Sequence, residues 1–151
     1  MSVALAVFGL GPHRWLGIAR LTTLTFLVEA ALRILSLPRL ARLLGVPLEL
    51  GRSGAPSGSL DQLPLNQAER DLIDTAWRIL RHRPFNGTCL RRALIGGHVL
   101  RHHQPLLRLG VAKSHGQVQA HAWVEISGIS LDPDADLSYK VLQATGMAAE
   151  P

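Results

Sequence analysis

The chain has 151 residues, 47% of them hydrophobic and 18% charged, with a formal net charge of +5 and one cysteine. That is about one domain's worth of chain with enough apolar material for a core; it excludes a disulfide scaffold, a Cys-rich zinc module and a wholly disordered chain. Arginine carries the charge, since Lys113 and Lys140 are the only lysines, and guanidinium groups pair with carboxylate or phosphate, so acidic peptides, a partner protein and nucleic acid all stay open.

Val3 to Leu10 is apolar like the h-region of a signal peptide, but no basic residue precedes it and no small-residue cleavage site follows before Arg14. We therefore expect a reduced, cytoplasmic protein. Leu16 to Leu37 reads as one helix: Leu21, Leu24, Val28, Leu32 and Leu35 step along one face and Thr22, Thr25, Glu29, Arg33 and Ser36 along the other. Arg20, Glu29 and Arg33 interrupt it too often for the roughly 20 apolar residues of a membrane span, so no transmembrane segment is expected. Pro38 stops or kinks this helix, and Arg39 to Leu44, ending at Gly45, forms a short second one.

Residues 1–50 thus form a helical hairpin, 51–60 a Gly/Ser/Pro-rich connector (GRSGAPSGS over Gly51 to Ser59), and 61–151 the remainder of a single domain. Asn66 and Glu69 have capping-box spacing, and Ala68, Leu72, Ile73, Ala76, Ile79 and Leu80 supply a helical apolar face until Arg83-Pro84. A turn over Phe85-Asn86-Gly87-Thr88 leads into Cys89, which opens a helix with Leu90, Ala93, Leu94, Gly97 and Leu100 on one face and Arg91, Arg92, His98 and Arg101 on the other. Individual arginines are read as surface residues covering apolar area with their stems.

From Pro105 the period changes to two. Leu106, Leu107, Leu109 and Val111 form one run, Ser114-His115-Gly116 turns, and Val118, Ala120, Ala122, Val124 and Ile126 alternate as a half-buried strand. Ile129 to Leu131 adds a third short strand, followed by the acidic loop Asp132-Pro133-Asp134-Ala135-Asp136.

Three residues stand out. A thiol in the first turn of a helix meets the positive end of the dipole and unbonded N–H groups, which favour a thiolate and can hold an oxyanion; the plain alternative for Cys89 is a small core residue. His121 has the opposite parity to the apolar set on its strand and shares a side with Trp123 and Glu125, so a Cys89 helix crossing that face would bring imidazole to thiol. Asp132, after the next strand, could orient the ring, with Asp134 and Asp136 as competitors.

His98 and His102 are spaced for a metal, but Val99 stands where a zincin has Glu; the acidic loop lacks the glycine and terminal Glu of a calcium loop. No metal and no cofactor is therefore expected. Aromatics make up only 5% of the chain and no nucleic-acid-binding motif is present, so nucleic acid is not the expected partner.

The run Asn86-Gly87-Thr88-Cys89-Leu90-Arg91-Arg92-Ala93-Leu94, with His121-Ala122-Trp123-Val124-Glu125 and Leu131-Asp132 after it, resembles the transglutaminase-like core and, more narrowly, the protease half of the lasso-peptide biosynthesis B proteins. The resemblance spans about Pro84 to Asp136. It implies an α+β fold, a papain/transglutaminase-like core with a helical N-terminal part and a small antiparallel sheet carrying His and Asp. It implies a cysteine peptidase that cuts the leader from a ribosomally made precursor peptide, with Cys89 as nucleophile, His121 as base and Asp132 as orienting acid. The implied partners are the precursor peptide, a separate winged-helix-like leader-recognition protein, which a chain this short does not also hold, and the macrolactam-forming cyclase. A transglutaminase-like acyl transferase and a non-catalytic peptide-binding subunit use the same residues and remain the alternatives.

Overall fold

A computed structural model describes residues 12–50, 62–82, 84–85, 87–114, 117–131 and 140–141. The order is α1 (Pro12–Ile34), α2 (Leu37–Leu43), α3 (Gln67–Arg81), α4 (Cys89–Val99), a 3₁₀ turn at Arg101–His103, then β1 (Leu106–Ser114), β2 (Gln117–Ile126), β3 (Ile129–Ser130) and β4 (Lys140–Val141). The four strands form one antiparallel sheet in the order β3-β2-β1-β4. The sequence reading found the first three strands; β4 is too short and too weakly patterned to read, and it exists by pairing with Gly110 and Val111 of β1. The 51–60 connector and the acidic loop after Leu131 lie outside the described residues.

Local chemistry sets the helix ends. Gly45 has φ +74° and closes α2 as expected, with Val46 N–H donating to the Ala41 carbonyl and Gly45 N–H to that of Arg42. Pro38, expected to end α1, instead sits in the first turn of α2, where its missing N–H costs nothing. At α3 the capping box forms in both directions: Glu69 N–H donates to Asn66 Oδ1 and Asn66 N–H to Glu69 Oε2, each at 2.9 Å.

The core is shared by helices and sheet. Leu21 and Val28 of α1, Leu40 and Val46, Ile73 and Leu80 of α3, Leu94 and Ile95 of α4, and Leu107 and Val124 of the sheet bury together. Helix α4 runs through the middle, touching α1, α3, β1 and β2. Gly96 and Gly97 permit this: a Cβ on Gly96 would lie 2.6 Å from the Trp77 ring, and one on Gly97 would lie 2.6 Å from Val46 Cγ1 and 3.2 Å from Val124.

Two expected patterns give way to packing. On α1 the apolar face is where the period puts it, but Thr25 and Glu29 of the polar face also turn inward. Thr25 is buried with its hydroxyl donating to the Leu21 carbonyl (2.8 Å), and Glu29 meets α4. Leu16, Phe26, Leu27 and Ile34 are correspondingly exposed. Trp15–Ile34 has the length and composition of a membrane span, while 17% of its apolar window is buried in the fold. On β2 the expected alternation is not kept: Gln117 to Ala120 are all exposed, and Ala122, Trp123 and Val124 are all buried. Val118 is 73% exposed and Ala120 is exposed, because the distal half of the hairpin reaches past the helices.

Candidate active site

Cys89 is the first residue of α4. The chain reaches it over a tight path: a Cβ on Gly87 would lie 2.8 Å from the Leu80 carbonyl oxygen, so only glycine passes over the end of α3 there. Phe85, just before it, is buried and held edge-on by Phe26 of α1, with ring centroids 4.7 Å apart. Thr88 is the N-cap residue in extended conformation, but its hydroxyl makes no bond to the helix N–H groups; it accepts from Arg91 Nη1 at 3.2 Å instead. The amino end of α4 therefore keeps N–H groups that no side-chain cap takes up.

Arg91 is fixed in turn by α1. Its Nε donates to Glu29 Oε2 at 2.6 Å, and this hydrogen bond, with the charges of Arg91 and Arg33, holds the Glu29 carboxyl below its ordinary range against the opposing effect of burial. At the far end of α4, His98 Nδ1 donates to the Leu44 carbonyl (2.9 Å), and past it His103 Nε2 donates to Glu69 Oε1 (2.8 Å). Each of these two imidazoles has a structural partner, and among the described residues no three His, Cys, Asp or Glu side chains are grouped as metal ligands.

His121 lies in the middle of β2, half-buried, its ring stacked on that of Trp123 at 6.1 Å and 18° between planes. The two share a side of the strand, as parity requires. Its partner across the sheet is Gly110, which offers no side chain to crowd the ring. Glu125, the third residue of that side, accepts from Arg108 Nε at 3.1 Å.

Cys89 and His121 open onto one cavity of about 230 Å³, walled by Trp77 of α3, by Arg92, Ala93 and the two glycines of α4, and by Ala122, Trp123, Val124 and Leu131. Two of the three residues singled out by sequence thus line the same space. Asp132 lies outside the described residues; its neighbour Leu131 lines the cavity and donates its N–H to the Val124 carbonyl at 2.9 Å.

The sequence matches the transglutaminase-like superfamily over residues 26–144. The chain belongs to that superfamily. No curated protein and no solved structure matches it. The transglutaminase-like superfamily includes cysteine proteases and acyltransferases, and its members are typically cysteine-dependent catalysts. The mixed fold, helices against a small antiparallel sheet, agrees with this membership.

Sequence reasoning missed part of the site. The apolar period of α3 does not single out Trp77, and the sequence alone places Arg91, Arg92 and Arg108 at the surface. Instead Arg91 ties α4 to α1, Arg92 lines the cavity, and Arg108 is 5% exposed between Glu125 and Glu49. For Arg92 a signal was present: it stands three residues after Cys89, on the same face of a helix.

Proposed function

We propose that this chain is a cysteine peptidase that removes the leader from a ribosomally synthesised precursor peptide during lasso-peptide maturation, with Cys89 as nucleophile, His121 as base and Asp132 as the acid that orients the imidazole. The observation that carries this reading is the shared cavity. Cys89 at the amino end of α4 and His121 on β2 line the same partly open cavity, which supports a thiol and an imidazole acting together in nucleophilic acyl chemistry.

In this mechanism His121 takes the Cys89 proton and the thiolate attacks the carbonyl at the leader–core junction. The uncapped N–H groups at the start of α4, that of Cys89 among them, stabilise the oxyanion. The imidazolium then protonates the leaving amine, and water, activated by the same imidazole, releases the leader as an acid. Substrate is delivered by a separate winged-helix-like recognition protein, the freed amine passes to the macrolactam-forming cyclase, and the work takes place in the cytoplasm, where the lone thiol stays reduced.

The test is incubation of the protein with a lasso precursor peptide and its recognition protein, read by mass. The expected products are leader and core whose masses sum to that of the precursor plus one water, with no product from Cys89→Ala. A product carrying an amine in place of water makes the enzyme an acyl transferase, and binding that survives Cys89→Ala without any turnover by wild type makes it a binding subunit. Either result overturns the peptidase reading.

A further inference from the structure

The arginines around the sheet and α4 have acids to meet. Arg91 has Glu29, and Arg108 has Glu125 and Glu49. Arg92 differs: its side chain is half-buried on the cavity wall, its Nε is fully buried, and that N–H has no acceptor among the described residues. The described residues around the cavity include no carboxylate. A buried guanidinium N–H without an acceptor is costly, and the apolar walls of Trp77, Val124 and Leu131 strengthen whatever anion does reach it.

Position fixes what that anion is near. Arg92 follows Cys89 by three residues, and helical side chains lean toward the amino end, so the guanidinium and the thiol stand on one face with the guanidinium leaning back toward the thiol. The guanidinium is planar and always charged, and its N–H groups match the two oxygens of a carboxylate in pairs. Resting on the nucleophilic role proposed above for Cys89, we infer that Arg92 is the carboxylate-binding residue of the cleft. The substrate then carries a carboxylate, either an acidic side chain or a free chain end, next to the carbonyl that Cys89 attacks.

Two alkylating probes of nearly equal size test this: iodoacetate, which carries a carboxylate beside its reactive carbon, and iodoacetamide, which does not. In each variant the ratio of the two second-order rates at Cys89 is the readout, and the iodoacetamide rate reports that the fold and thiol are intact. Arg92→Gln should lower the ratio about tenfold, the scale of one charge-assisted pair, and Arg92→Lys should lower it less. Arg101→Gln, which removes the same charge from the exposed 3₁₀ turn past α4, should leave it unchanged. Haloacetyl dipeptides then separate the sources: one with Glu and an amidated end, the other with Gln and a free α-carboxylate. The favoured probe, losing its advantage in Arg92→Gln, identifies which carboxylate is bound. A ratio equal in wild type and Arg92→Gln, with alkylation still fast and dependent on His121, overturns the carboxylate site alone. Slow alkylation indifferent to His121→Ala overturns the nucleophile reading and the inference with it.

Discussion

Glu29 and Arg91 lie 62 positions apart in the chain and meet at 2.6 Å, joining α1 to the first turn of α4 two residues beyond Cys89. Arg91 also holds the Thr88 hydroxyl, so this pair sets both the place of the α4 amino end and the freedom of its N–H groups.

Its pH dependence follows from the direction of the Glu29 shift. The hydrogen bond from Arg91 is the largest cause and lowers the folded-state pKa below the ordinary 4.5. A carboxylate lowered on folding contributes stability that is complete above its unfolded value and is lost as pH falls through the folded one. Glu29→Gln should therefore lower Tm at pH 7, and the gap to wild type should close as the pH is taken below 4.5. Circular-dichroism melts from pH 7 to pH 3 measure this; a gap that widens on acidification would contradict it.

The α3 cap makes a separate prediction. Asn66→Ala removes the side-chain acceptor for the Glu69 N–H and leaves only the other half of the box, the residue-66 backbone N–H donating to the Glu69 carboxylate. A loss of about 1 kcal/mol is expected, the usual worth of such a cap, measured by urea denaturation with an unchanged m-value.

The two glycines of α4 should respond unequally. Gly97→Ala drives a methyl into the short Val46 side chain, and overpacking of about 1–3 kcal/mol should outweigh the roughly 1 kcal/mol of helix propensity regained. Gly96→Ala meets the far edge of the Trp77 ring, which can tilt, but that ring walls the cavity. We expect Gly97→Ala to lose the more stability and Gly96→Ala to slow alkylation of Cys89 while nearly keeping its Tm.

At the β2–β3 turn Ser127 and Gly128 have φ of +52° and +83°, both positive as in a type I′ hairpin. Serine is strained at the first of these positions, whereas asparagine is favoured there. Ser127→Asn should stabilise the protein by up to about 1 kcal/mol, visible as a raised Tm; a lowered Tm would mean that the serine hydroxyl matters more than its backbone.

Much of this arrangement is legible in the residues. The capping box, the Gly45 stop, the helix start at Cys89 and the pairing of the two hairpin strands all follow from local rules, and local structure obeys them. What escapes are decisions taken between distant elements. Nothing in the period of α1 tells that Glu29 faces Arg91 instead of water, nor that Val118 lies beyond the reach of the helices. The pairing of β4 depends on a neighbour about 30 residues earlier, and long-range pairing leaves little trace in a two-residue strand. Within the site, chain order indicates Cys89 and His121, but Trp77 joins them through the close approach that Gly96 allows between α3 and α4.

The most direct test of the central claim is the rate of Cys89 alkylation by iodoacetamide as a function of pH, in wild type and in His121→Ala. A free thiol, with a pKa near 8.5, is largely unreactive at pH 6. Cys89 should react there at least about tenfold faster than a free thiol, and the advantage should disappear when the imidazole is removed. A thiol that follows the free-thiol profile in both proteins would contradict the claim.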